Sequence, residues 1–82
     1  HMEELKMEEI IKKLLIEQLD LDEEEITAEK SFTEDFEMDS LDMVEMLVDL
    51  EKETGVNIPN EEMTNIHTVG ELVAYLEEKK NA

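Results

Sequence analysis

The chain has 82 residues, of which 40% are hydrophobic, and it contains no cysteine. This length accommodates one small domain, and the absence of cysteine excludes disulfides as a source of its stability. Twenty-five acidic residues against seven lysines give a formal net charge of −18, which disfavours binding to nucleic acid or to anionic membranes.

Residues 3–80 are expected to form this single domain, and His1-Met2 is interpreted as the remnant of a cleaved expression tag. No apolar run approaches the ~20 residues that a membrane-spanning helix requires, and the N-terminus lacks the pattern of a signal peptide. The absence of cysteine is compatible with a reducing compartment. We therefore expect a cytoplasmic protein without a membrane span.

The first predicted element is an amphipathic helix over residues 3–18. Its apolar stripe recurs at helical spacing and consists of Leu5, Ile11, Leu14, Leu15 and Leu19. The segment from residue 20 to residue 31 is rich in acids and shows no steady period, which indicates the start of a long loop. We expect four apolar side chains to pin that loop onto the core, namely Leu21, Ile26, Phe32 and Phe36.

A second helix is predicted to begin at Asp39 or Ser40 and to end at about Thr54. Asp39 is a favourable N-cap, Asp42 lies in the first turn, and Gly55 follows as a C-terminal stop signal. These signals define both ends of the helix more sharply than its apolar pattern does.

The last third of the chain predicts two further helices. A short one, of one or two turns, is expected within residues 61–66, after the break at Ile58-Pro59-Asn60. Thr68 and Glu71 then form a capping box, and the helix behind it is expected to end near Lys79-Lys80. Its apolar stripe consists of Val69, Leu72, Val73 and Leu76. The predicted fold is therefore all-α, a small bundle of three main helices plus one short helix, with a long loop between helices 1 and 2.

The second helix carries apolar residues on two faces. The predicted core face consists of Met43, Met46, Leu47, Leu50 and Thr54, whereas Leu41, Val44 and Val48 form a second stripe on the opposite side. Either the long loop covers the second stripe, or the stripe is exposed and docks a partner or shelters a ligand. The segment from residue 34 to residue 53 is strongly acidic, which favours docking to basic enzymes, because charge speeds encounter and apolar contacts fix the register.

No set of catalytic residues is apparent. His67 is the only histidine outside the tag remnant, and its position between two helices predicts a surface or turn residue. The acids from Asp20 onward faintly resemble a calcium loop, but Glu25 and Ser31 stand where such a loop requires glycine and glutamate. We therefore expect no catalytic residue, no specific metal site and no enzymatic activity.

Ser40 is the hydroxyl with a distinctive position. The tripeptide Asp39-Ser40-Leu41 places it in the first turn of the second helix, beside the second apolar stripe. A phosphodiester there would meet free backbone N–H groups and the positive end of the helix dipole. Taken alone, however, the tripeptide favours a simple helix cap.

Six segments are distinctive in their order and spacing, namely residues 31–36, 38–42, 44–45, 50–51, 58–62 and 68–76. Together they resemble the acyl carrier protein family over essentially the whole chain. The resemblance implies that a phosphopantetheinyl transferase attaches 4′-phosphopantetheine to Ser40, with Asp39 and Leu41 as its cofactor-binding neighbours. The thiol of this arm would carry acyl groups as thioesters, and a cavity between the helices would shelter the acyl chain.

The resemblance also implies a surface for enzymes of fatty acid synthesis, which dock through basic patches. Its residues are Asp42, Val44, Glu45, Val48, Asp49 and Glu51. The sequence departs from the family at three positions. Glu37 stands where glycine is common, Lys52 interrupts the acids, and Thr54 replaces a frequently apolar residue. A positive φ at Glu37 would be less favourable than at glycine.

We therefore expect a free-standing, monomeric carrier for fatty acid biosynthesis. A dedicated carrier for polyketide or another specialised acyl pathway is the close alternative. An alternative from a different class is an acidic helical adaptor without a prosthetic group. Such an adaptor would work unchanged with Ser40→Ala, whereas a carrier would lose its function.

Overall fold

A computed structural model describes the backbone of residues 2–81 and the side chains of residues 6–80. It contains four α-helices, α1 (Met2–Leu19), α2 (Ser40–Thr54), α3 (Asn60–Met63) and α4 (Val69–Asn81), and a short 3₁₀ helix at Glu23–Glu25. Over the described residues there is no strand, only an isolated bridge between Ser31 and Thr68. The all-α prediction is confirmed, whereas the tag interpretation of His1 and the core role of Leu5 lie outside the described residues.

The hydrophobic core lies where α1 packs against α2 and α4. It consists of Met7, Ile11, Leu14, Leu15, Ile26, Phe32, Met38, Met46, Leu50, Ile58, Met63, Ile66, Val69, Leu72 and Leu76. Leu19 and Val73 are only partly buried at its edge. Among the described residues, no helix combines the length and the apolar character needed to cross a bilayer.

The long loop between α1 and α2 is held against the start of α4. The Phe32 N–H donates to the His67 carbonyl at 3.0 Å, and the Gly70 N–H donates to the Ala28 carbonyl at 2.8 Å. A Cβ atom at Gly70 would lie 3.1 Å from the Ala28 oxygen, a tight contact, so glycine favours this close approach. Ile26 and Phe32 are buried, and Leu21 and Phe36 pack against the core, which confirms the four predicted anchors.

The ends of α2 follow the predicted signals. Asp39 accepts a hydrogen bond from the Asp42 N–H at 2.9 Å, and the Asp42 carboxylate accepts one from the Asp39 N–H at 3.1 Å. This reciprocal capping box fixes where the helix begins. Gly55 ends the helix in the left-handed conformation, with a φ of 76°.

The third helix is a single turn, which agrees with the prediction of one or two turns, but its bounds differ from the predicted segment. It was expected within residues 61–66, and α3 is Asn60–Met63. Beyond Met63 the Asn65 and Ile66 N–H groups donate to carbonyls three residues earlier, and the Thr64 hydroxyl donates to the Glu61 carbonyl. These tighter bonds stop the α-helix, because they take the carbonyls that its next turn would use.

The capping box of α4 is confirmed. The Glu71 N–H donates to the Thr68 hydroxyl at 3.2 Å, and the Glu71 carboxylate accepts from the Thr68 N–H at 3.1 Å. The helix continues to Asn81, just past the predicted end at Lys79-Lys80.

Candidate functional site

Ser40 is exposed and is the first residue of α2. The first turn of a helix leaves backbone N–H groups without intrahelical partners and carries the positive end of the dipole. The capping box of Asp39 and Asp42 holds the backbone on either side of the serine. A phosphate ester on this hydroxyl would therefore be accessible to another protein and would lie in a favourable field.

A groove of about 420 Å³ begins at Ser40 and runs between α2 and the segment that contains α3; we call it the Ser40 groove. It is lined by Thr33, Ser40, Met43, Val44, Leu47, Asn60, Met63, Thr64, Ile66 and His67. Met43 and Leu47 lie on the core face of α2 but are only partly buried, because one side of each borders this groove. The groove thus joins the serine to an apolar surface.

Sequence reasoning did not identify Thr33, Asn60 or Thr64 as part of this site. His67 lies exposed in the connection between α3 and α4, as predicted, and it also lines the groove. No spacing in the sequence signals these contacts, because they depend on how α3 is placed against α2. Met43 and Met63 both border the groove, where flexible methionine side chains can adapt to a bound group.

The second apolar stripe of α2 is exposed. Leu41, Val44 and Val48 have exposed fractions of 78%, 48% and 47%, so the long loop does not cover them. We call these three residues the exposed strip. Val44 also lines the Ser40 groove, which makes the strip and the groove continuous. Exposed apolar surface of this kind is typical of a docking site.

The predicted partner-binding acids differ in their surroundings. Glu45 and Glu51 are exposed, whereas Asp42 and Asp49 are partly buried. Glu51 accepts a hydrogen bond from the Asn57 side chain at 3.2 Å. Asp42 is engaged in the capping box, so its carboxylate has a structural role whatever it binds.

The loop before Ser40 has a strained residue. Glu37 has a φ of 55°, in the left-handed region that disfavours most L-residues. The next residue, Met38, is buried, and its N–H donates to the Phe32 carbonyl at 3.0 Å. Glu37 therefore has the unfavourable positive φ that its place in the sequence suggested. The packing of Met38 maintains this conformation.

The wall of the groove at His67 is fixed by Glu71. The Glu71 carboxylate accepts hydrogen bonds from the N–H groups of His67, at 2.6 Å, and Thr68. These bonds lower the pKa of Glu71 below its ordinary value. The connection between α3 and α4 is thereby held by an ionised side chain.

A sequence model of the phosphopantetheine attachment site matches residues 9–76, which is well over half of the chain. The chain belongs to the PP-binding family. This family is defined by covalently attached 4′-phosphopantetheine, and its domains are carriers that have no catalytic role of their own. A carrier domain interacts with a phosphopantetheinyl transferase and with acyl-processing enzymes.

The described residues suit this cofactor. An exposed hydroxyl at a helix N-terminus offers an accessible oxygen for the phosphate ester, and the adjoining groove has room for an apolar group. Thr33, Asn60 and Thr64 add polar side chains to a groove that is otherwise largely apolar. Polar groups of this kind suit the amides of a pantetheine arm.

Proposed function

We propose that this chain carries acyl intermediates of fatty acid biosynthesis on 4′-phosphopantetheine attached to Ser40. The observation that carries the proposal is the position of Ser40, exposed at the start of α2 and opening onto the apolar groove between α2 and α3. Together with membership of the PP-binding family, this position supports Ser40 as the modified residue.

The loading step is a substitution at phosphorus. A transferase would join the Ser40 oxygen to the phosphorus of the phosphopantetheine unit, and the phosphoanhydride bond of coenzyme A would break. Adenosine 3′,5′-bisphosphate leaves, and the hydroxyl proton passes to a base on the transferase or to water. Once attached, the arm supplies a thiol that holds acyl groups as thioesters.

Neighbouring side chains prepare Ser40 for this step. Asp39 and Asp42 hold the backbone of the first turn, so the Cα–Cβ bond of Ser40 has a defined direction. Leu41 is largely exposed beside the serine and offers an apolar contact for the transferase. We propose that Asp39 and Leu41 thereby contribute to cofactor attachment without reacting themselves.

Partner enzymes would dock along α2. The exposed strip supplies apolar contacts, and Asp42, Glu45, Asp49 and Glu51 supply negative charge around Val44 and Val48. Basic patches on the enzymes would be steered by this charge and aligned by the apolar contacts. Successive enzymes would then use the same surface of a monomeric carrier in turn.

The lining of the groove favours a fatty acid pathway. Met43, Leu47, Met63 and Ile66 present flexible or branched apolar side chains to any group held there. A plain alkyl chain needs no hydrogen bonds from these side chains. The carbonyls of a polyketide chain would need partners, and would compete with the pantetheine arm for Thr33, Asn60 and Thr64. A specialised acyl pathway with equally apolar intermediates remains the alternative.

The test is an intact-mass measurement. The protein is first shown to be unmodified and is then incubated with coenzyme A, magnesium and a broad-specificity phosphopantetheinyl transferase, with Ser40→Ala treated in parallel. We expect the parent to gain one phosphopantetheine and the variant to gain none. A parent that gains nothing would favour the acidic adaptor, and a gain on the variant would move the attachment site elsewhere.

A further inference from the structure

α3 and the turn that follows it form a wall between two grooves. On one side is the Ser40 groove. On the other side is a groove of about 450 Å³ between α3 and α4, lined by residues that include Glu62, Ile66 and Tyr75; we call it the outer groove. Ile66 lines both grooves. A movement of this wall toward the outer groove would therefore widen the Ser40 groove.

Of the four α-helices, α3 is the least extensively packed against the others. The closely packed helix pairs are α1 with α2 and α1 with α4, and α3 has only four residues. Met63 and Ile66 anchor the wall by burial, since each has an exposed fraction below one tenth. Elements with few packed neighbours open at low free-energy cost, so side-chain contacts at the wall have a large influence on its position.

Two side chains of α4 contact the wall on the side that faces the outer groove. The Tyr75 hydroxyl donates a hydrogen bond to the Glu62 carboxylate on α3. The Lys79 ammonium lies 4.0 Å from that carboxylate and 5.4 Å from the centre of the Tyr75 ring. Two residues of α4, one turn apart, thus converge on a single carboxylate of α3.

The tyrosine remains a hydrogen-bond donor over a wide pH range. Burial, together with the hydrogen bond to Glu62, raises the pKa of Tyr75 to about 12. The hydroxyl therefore keeps its proton at physiological pH. Its hydrogen bond to the Glu62 carboxylate is stronger than one between two neutral groups.

We propose that Tyr75 is a positioning residue that latches α3 to α4 through Glu62 and so limits how far the Ser40 groove opens. By limiting this movement, the latch limits the length of the acyl chain that the groove can hold. The link to acyl chains rests on the proposed function, whereas the latch itself is a property of the unmodified chain.

The first test measures hydrogen exchange in the unmodified protein by NMR. The reporters are the amides of Met63, Asn65 and Ile66, which are hydrogen-bonded within α3 and its turn. Tyr75→Phe keeps the ring and removes the hydroxyl. We expect these amides to exchange about tenfold faster in the variant, while the amides of the buried part of α2 are unchanged.

Variants at Glu62 separate the latch from a general loss of packing. Glu62→Ala should speed exchange at least as much as Tyr75→Phe, because it also removes the Lys79 contact. The double variant should be no faster than Glu62→Ala, because both single variants remove the same hydrogen bond. Glu62→Gln keeps an acceptor and should restore part of the protection. Glu61→Ala is the matched control, since it removes a neighbouring exposed acid of α3 with the same change in charge. Unchanged exchange in Tyr75→Phe, or effects that multiply in the double variant, would overturn the latch.

The second test loads Ser40 with acyl-phosphopantetheine of increasing chain length and compares the Tm of each product with that of the unacylated form. We expect the Tm to stop rising at a longer chain in Tyr75→Phe than in the parent, because the wall can move. The same limiting length in both proteins would overturn the role in chain length. Failure of Ser40 to accept the cofactor would instead overturn the proposed function and leave the exchange result standing.

Discussion

At the scale of single residues, the most informative position is Glu37. It lies in the left-handed region two residues before the N-cap of α2, and the buried Met38 follows it. Left-handed backbone costs an L-residue about 1–2 kcal/mol, whereas glycine adopts it without that penalty. Asp20 also has a positive φ, of 58°, but aspartate tolerates this conformation better.

We therefore expect Glu37→Gly to stabilise the protein. Relief of the left-handed conformation outweighs the greater entropy that glycine gives to the unfolded chain, and the net gain should be about 0.5–1 kcal/mol in the free energy of unfolding. Urea denaturation at neutral pH measures it. Asp20→Gly is the matched control and should gain less. A Glu37→Gly protein that is less stable than the parent would show that the glutamate side chain makes a compensating contact.

Thr54 shows how a departure from the family pattern is accommodated at one residue. Its side chain is buried, yet its hydroxyl donates to the Leu50 carbonyl at 2.7 Å and accepts from the Val56 N–H at 3.1 Å. A buried hydroxyl with both of these bonds costs little. The substitution therefore affects the end of α2 and leaves the surface around Ser40 unchanged.

At the scale of helices, the capping boxes define where the site lies. The box at Asp39 sets the first residue of α2, and the box at Thr68 and Glu71 sets the position of His67 beside the Ser40 groove. The hydrogen bonds from the His67 and Thr68 N–H groups lower the pKa of Glu71. A lowered pKa in the folded state gives stability above the ordinary carboxyl pKa that is lost as the pH falls through the folded value.

This linkage predicts a pH-dependent effect of Glu71→Gln. Glutamine keeps an acceptor for the cap but lacks the charge, so the variant should be less stable than the parent at neutral pH. Below the ordinary pKa of 4.5 the parent loses its advantage, and the difference between the two proteins should shrink. Urea denaturation from about pH 7 to about pH 3 measures this. A stability difference between parent and variant that stays constant over this range would contradict the role of the charge. Glu61→Gln serves as the control, because Glu61 lies outside the capping box.

At the scale of the whole molecule, negative charge surrounds an exposed apolar surface. The net charge of −18 gives a strongly negative field, and the exposed strip of Leu41, Val44 and Val48 lies within the acidic segment of α2. A field of this kind raises the rate of encounter with basic partners, while short-range contacts determine the final complex.

We expect Glu45→Lys to impair docking and leave the fold intact. Glu45 is exposed on α2 beside the strip, so reversing its charge should lower the association rate with a fatty acid ketosynthase about fivefold and weaken its dependence on salt. Stopped-flow binding at two salt concentrations measures both effects. Glu9→Lys makes the same charge change at an exposed position of α1 and should have a smaller effect. Unchanged turnover and binding with Glu45→Lys would count against docking on α2.

Local signals in the sequence determined the helices and the candidate serine. Caps such as Asp39, Gly55 and Thr68 and the apolar stripes act within a few residues, so they specify element ends without knowledge of the fold. The same locality explains why the bounds of α3 were not predicted, because the competing hydrogen bonds of Thr64 and Asn65 are weak signals in a short segment. The family resemblance rested on motifs of this kind and was confirmed by the match over residues 9–76.

Tertiary structure alone decided two properties of the site. Both stripes of α2 have comparable apolar character in the sequence, and only the packing of α1 on one face leaves Leu41, Val44 and Val48 exposed. The Ser40 groove and the contact of Tyr75 with Glu62 likewise join segments that are distant along the chain. Sequence periodicity specifies which residues share a face of a helix, but it does not specify which face meets another helix, because that choice is made by the packing of the whole chain.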